Sequence, residues 1–181
     1  MRRSILAFTG LLAPAFLLLA GGQAAAQPQA LDLSTLTCAQ AMAEEPPIPT
    51  RRLVPAMAGV VAARAGHARL PSDAELAQFG TGLRQGCAND PTRPVAMIAL
   101  LQPSAQAAES DRDIARMTCA TLGPVWRREA NQIVPFIAGL LAPEGRLAAN
   151  GMDRVGNGLQ AACREPVNAQ QTILDVVALL P

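Results

Sequence analysis

The chain repeats itself, and the repeat limits what it can fold into more than any other feature. LTCAQAM around Cys38 recurs as MTCATLG around Cys119, and RLVPAMAGVVA (Arg52–Ala62) recurs as QIVPFIAGLLA (Gln132–Ala142). TGLRQGC, ending at Cys87, recurs as NGLQAAC, ending at Cys163. An apolar tail closes each series, VAMIALL (Val95–Leu101) and ILDVVALL (Ile173–Leu180). The blocks keep one order at offsets of 81, 80 and 76 residues. Matched Cys, Pro and Gly in a fixed order point to a duplication rather than to two unrelated Ala-rich stretches. The seam is the polar stretch QPSAQAAESDR (Gln102–Arg112), which lacks apolar periodicity and reads as a linker.

Ahead of the repeat lies an export signal. Arg2 and Arg3 precede an uncharged run from Ile5 to Ala20, and Ala24-Ala25-Ala26 offers a cleavage site before Gln27. The run is short for a membrane span and contains Gly10 and Pro14, so an uncleaved anchor is the weaker reading. The expected organisation is a signal peptide over 1–26, a helical unit over 27–104, a linker over 105–112 and a second unit over 113–181. The mature protein is expected in the periplasm or secreted, with no membrane span.

Local signals are helical in both copies. Thr37-x-x-Gln40 is a capping box for a short helix to about Met42, and Pro46, Pro47 and Pro49 then forbid helix. Leu53, Met57, Val60, Val61 and Arg64 keep helical spacing, predicting a helix over 51–65 with Pro55 in its first turn. Asn131 is the expected cap of the equivalent second-copy helix, with Pro135 in the matching place. Ser72-x-x-Glu75 opens a helix to about Cys87, and Thr92 and Asn168 are candidate caps for the last helices. No run of alternating β-branched residues argues for strands. The reading is all-α: two tandem units of four helices each.

Four Cys permit three pairings. The repeat selects Cys38–Cys87 and Cys119–Cys163, because each copy then closes itself, and export supplies the oxidising compartment. A loop of this size is worth about 4 kcal/mol on the chain-entropy model. Such a staple matters in a chain whose mature part keeps only Trp126, Phe79 and Phe136 as aromatics. A metal site is disfavoured by the lack of any CxxC and by a single His, His67.

Fifteen basic residues, all Arg, against fourteen acids give +1, which excludes a basic nucleic-acid binder as the first reading. No GxSxG, HExxH or CxxCH motif is present, and the expectation is a non-enzyme without cofactor. GTGLRQG (Gly80–Gly86) has the glycines of a phosphate loop but falls late in a predicted helix with no strand before it. His67 belongs to an expected exposed loop, Arg51-Arg52 and Arg127-Arg128 to matching helix starts, and Trp126 to the packing of the second copy.

A "TC" opening a helix, an apolar helix with an internal Gly (Gly59, Gly139), a Cys 44–49 residues after the first and an apolar closing helix make each copy resemble one family. It is the HdeA/HdeB family of small periplasmic acid-stress chaperones. The resemblance spans Leu33–Leu101 and again Ile114–Leu180. It implies all-helical units with one internal disulfide, pairing as Cys38–Cys87 and Cys119–Cys163, and single units that associate as homodimers. The chain departs from the family in being duplicated, in having no Lys and in its few aromatics. The resemblance implies an ATP-independent chaperone that shows apolar helix faces to unfolded periplasmic clients. The expected contact residues, for clients or between the copies, are Val54, Met57, Val60, Val61, Phe136, Ile137, Leu140 and Leu141. Two packed copies with approximate two-fold symmetry are expected, against the alternative of two beads on a linker. The functional alternative is a non-catalytic binding module, such as a small helical, disulfide-bonded immunity protein facing a rival's toxin.

Overall fold

A computed structural model of the chain describes residues 31–103, 112–142, 146–147 and 151–180. The expected signal peptide and nearly all of the expected linker lie outside the described residues. The elements in order are β1 (Leu31–Asp32), α1 (Cys38–Ala41), α2 (Thr50–Arg64), α3 (Asp73–Asn89), α4 (Val95–Leu100), α5 (Cys119–Leu140), β2 (Arg146–Leu147), α6 (Gly151–Ala162), a 3-10 turn (Pro166–Asn168) and α7 (Ile173–Ala178). The fold is thus mostly helical, and it holds two disulfides.

Capping starts the helices where the side chains demand it. Thr37 Oγ1 accepts from the Gln40 backbone N–H at 3.3 Å, and Gln40 returns its amide oxygen to the Thr37 N–H at 3.0 Å. Ser72 and Glu75 do the same at the head of α3. Thr118 and Thr121 form the corresponding box on α5, with a hydroxyl standing where the amide stood. Each box satisfies two of the backbone donors that every helix start leaves open.

The second copy departs from expectation. Asn131 caps nothing: it sits inside α5, which runs unbroken for 22 residues through Pro124 and Pro135. Among its described residues the C-terminal half therefore has three α-helices and a 3-10 turn rather than four helices. The reason is proline density. Pro46, Pro47 and Pro49 each remove a donor and push the residue before them out of helix, whereas Pro124 stands alone six residues into its helix. Pro55 is likewise the sixth residue of α2, past the first turn. Thr172, not Asn168, caps α7, accepting from the Asp175 N–H at 3.2 Å. Asn168 ends the 3-10 turn, and its amide donates to Ala162 O at 2.8 Å. Pro94, not Thr92, precedes α4. A two-residue antiparallel ladder also exists, pairing Leu31 with Leu147 and Asp32 with Arg146.

Each cystine sits beside the same backbone clasp. In the N-terminal half Cys38 N donates to Arg93 O, Ala39 N to Pro91 O and Val95 N to Leu36 O. In the C-terminal half Cys119 N donates to Gln171 O, Ala120 N to Ala169 O and Ile173 N to Met117 O. Cys38–Cys87 and Cys119–Cys163 close loops with sequence separations of 49 and 44 residues. Backbone hydrogen bonds thus bind the segment before each closing helix to the start of α1 or α5, and the cystine ties the same start to the end of the helix before that segment. Leu33, Leu53, Met57, Phe79 and Leu83 from one half and Ile114, Phe136, Ile137 and Leu159 from the other belong to one continuous buried core. No buried residue in it is polar or charged. Among the described residues, no helix is long and apolar enough to cross a membrane.

Candidate functional site

The eight residues expected to form a contact face lie on α2 and at the end of α5, and these two helices make the most extensive element pairing in the fold. Met57, Val60, Val61, Phe136 and Ile137 are fully buried there. Val54 and Leu140 are half-buried at its edge. Leu141 is not on the face: it caps α5 and stands 49% exposed.

Two glycines set how close the helices come. A Cβ on Gly59 would overlap the carbonyl oxygen of Phe136 and lie 2.9 Å from Leu140 N. A Cβ on Gly139 would overlap the carbonyl oxygen of Ala56 and lie 3.1 Å from Val60 N. Backbone meets backbone at both points, which only a residue without a side chain permits. Residues 56 and 136, 59 and 139, and 60 and 140 are each 80 apart, so the two contacts are one contact with the halves exchanged.

Polar groups on the rim repeat this exchange. Arg52 on α2 donates to Asp153 on α6 at 2.6 Å, and Gln132 on α5 donates to Asp73 on α3 at 3.0 Å. The backbone repeats it as well: Asp32 is in register with Arg146 in the ladder, and Asp113 forms an isolated antiparallel backbone bridge with Arg69. Arg112 reaches Glu129 at 3.0 Å, the Pro71 carbonyl oxygen at 2.6 Å and Asp73 at 3.8 Å. With Arg112 and Glu129 only 23% and 17% exposed, this is the most sheltered ion pair among the described residues. Sequence reasoning missed these residues because the side-chain partners lie 17 to 101 positions apart, the ladder partners further still, and no local pattern marks them.

Two shallow concavities flank the crossing. One, of about 340 Å3, lies between α2 and α3 with Arg51, Val54, Leu76 and Arg84 on its walls. The other, of about 270 Å3, lies between the first turns of α5 and the end of α6, against Trp126 and Cys163. Trp126 is half-buried and packs on the edge of the core. Arg127-Arg128 are mid-helix rather than at a helix start, while Arg51-Arg52 do open α2.

GTGLRQG is helical throughout, with Gly82 against the Gln102 side chain and Gly86 against Ile98, so its small residues serve close packing. His67 is half-buried rather than exposed; its Nδ1 accepts from Arg69 N at 3.3 Å, and its buried Nε2 has no partner among the described residues. The Thr92 hydroxyl, donating at 3.0 Å, and then Arg93 hold the half-buried Asp90 carboxyl below its ordinary value. Cys38, Cys87, Cys119 and Cys163 are all disulfide-bonded, which leaves no thiolate for metal ligation or nucleophilic chemistry. Two cystines fit an oxidising compartment outside the cytoplasm. Compared with protein-family models, curated proteins and solved structures, the chain matches none.

Proposed function

We propose that this protein is a fused pair of HdeA-like helical units, exported to the periplasm after cleavage near Ala26, that works as an acid- or stress-responsive, ATP-independent chaperone. The observation that carries the reading is the reciprocity of the α2–α5 crossing, in which Gly59 meets Phe136 while Gly139 meets Ala56. A self-complementary face with exchanged roles is what a two-fold dimer makes between identical subunits. Here both halves of it belong to one chain. The largest apolar helix face is thus covered at rest and available if the crossing opens.

Acid supplies a drive for opening. Below about pH 3 carboxylates as a class are protonated, and the chain without residues 1–26 then carries a charge of about +15. Arg52 and Arg112 lose their carboxylate partners at the rim, and self-repulsion loads the crossing. The cystines keep each half compact, so Met57, Val60, Phe136 and Ile137 would be presented on helices rather than on an open chain.

The test combines dye binding to apolar surface across pH 7 to 2 with protection of an aggregating client at pH 2–3. Dye uptake on acidification together with suppressed client aggregation is the expected result. Acid-induced dye uptake without protection, or no uptake, overturns the chaperone reading, and a protein partner captured at neutral pH would point instead to a binding module.

A further inference from the structure

We propose that the concavity between α5 and α6 binds a small anionic amphiphile, one carboxylate or similar acid group on an apolar body. Leu122 and Leu159 are fully buried beneath it and Trp126 walls one side. Arg127 and Arg164 stand at its edge, both exposed. Five arginines, Arg52, Arg93, Arg112, Arg116 and Arg128, each pair with a carboxylate. Arg127 and Arg164 pair with none among the described residues, and no acid lines the concavity. Two planar cations with free donors above an apolar floor complement an acid group attached to hydrocarbon.

The matching positions of the N-terminal half do not repeat this set, and the concavity between α2 and α3, with Arg51 and Arg84, has no aromatic wall. By the repeat offsets, Trp126, Arg127 and Arg164 correspond to Glu45, Pro46 and Ala88, so the aromatic wall and both cations belong to one half only. The volume of about 270 Å3 is near the lower end for small-molecule sites, which suits a fragment-sized ligand rather than a folded partner.

Trp126 is the only Trp in the chain, so its fluorescence reports on this place directly. The purified full-length mature protein at pH 7.5 is titrated with octanoate, 1-octanol and octylammonium, with calorimetry alongside. Octanoate is expected to bind one-to-one and to shift the Trp126 emission. It should bind about fivefold to tenfold more tightly than octanol, the size of effect two solvent-exposed ion pairs provide, with octylammonium weakest. The double variant Arg127→Gln/Arg164→Gln should erase the preference for octanoate over octanol while leaving the helical circular dichroism unchanged. Arg51→Gln/Arg84→Gln, at the other concavity, should leave it intact. Equal binding of octanoate and octanol, a preference that survives the first double variant or is lost in the second, or binding to phosphatidylglycerol vesicles without any response to octanoate would each overturn the proposal. Because the titration is run where the α2–α5 crossing is closed, its outcome is independent of any acid-dependent chaperone activity.

Discussion

The two routes from cystine to crossing helix differ, although they begin and end alike. In the N-terminal half the chain leaves α1 after one turn, passes through Pro46, Pro47 and Pro49, and re-enters helix at Thr50. That detour carries Ile48 into the core, where it is 4% exposed. In the C-terminal half one rigid rod, α5, covers the same ground, and a concavity lies beside its first turns. Both routes deliver an apolar helix to the same crossing at the same glycine. What is held fixed is the pair of ends, the cystine clasp and the Gly contact; the path between them is free to vary, and it varies where the surface chemistry of the halves differs.

Removing the cystines tests that contrast hardest. Cys38→Ala/Cys87→Ala and Cys119→Ala/Cys163→Ala close similar loops, so chain entropy assigns each about 4 kcal/mol. Denaturant unfolding should show the larger loss for the N-terminal pair, because α5 still ties its own first turn to the crossing when Cys119 is gone. Equal losses would mean that the continuous helix contributes nothing to that tether. Ile48→Ala should cost about 3 kcal/mol, since an Ile lost from a core leaves a cavity. The same measurement on an exposed position of α5 such as Arg128→Ala should stay within about 0.5 kcal/mol.

Gly59→Ala and Gly139→Ala should each cost about 2–3 kcal/mol, because the new methyl meets backbone that cannot turn aside. Matched losses would sharpen the equivalence of the two contacts, and a loss at one only would break it. Gly123→Ala, on α5 with nothing within 4 Å of its would-be Cβ, should instead stabilise by about 0.5–1 kcal/mol. Thermal melts of the three variants are enough to rank them.

Much of this architecture was legible in the residues, because its determinants are local or repeated. Thr37 with Gln40, and Ser72 with Glu75, mark helix starts within four residues of sequence, and both were placed correctly. The cystine pairing followed from the repeat, which carries long-range information in an unusually readable form. The largest failure has one cause: transferring the break between α1 and α2 onto the second copy. Residues 124–131, PVWRREAN, contain one proline where residues 43–49, AEEPPIP, contain three, and helix propensity then prevails. The rim partners and the ladder were not legible, since Leu31-Asp32 and Arg146-Leu147 are too short to show a period.

A face that finds its complement within its own chain answers to dilution differently from one shared between separate molecules. Association between free subunits weakens as the protein is diluted, while a tethered pair keeps a constant effective concentration, in the millimolar range for short linkers. The contact of Gly59 and Gly139 should accordingly persist at trace abundance, and its opening should depend on solvent conditions rather than on how much of the protein is made.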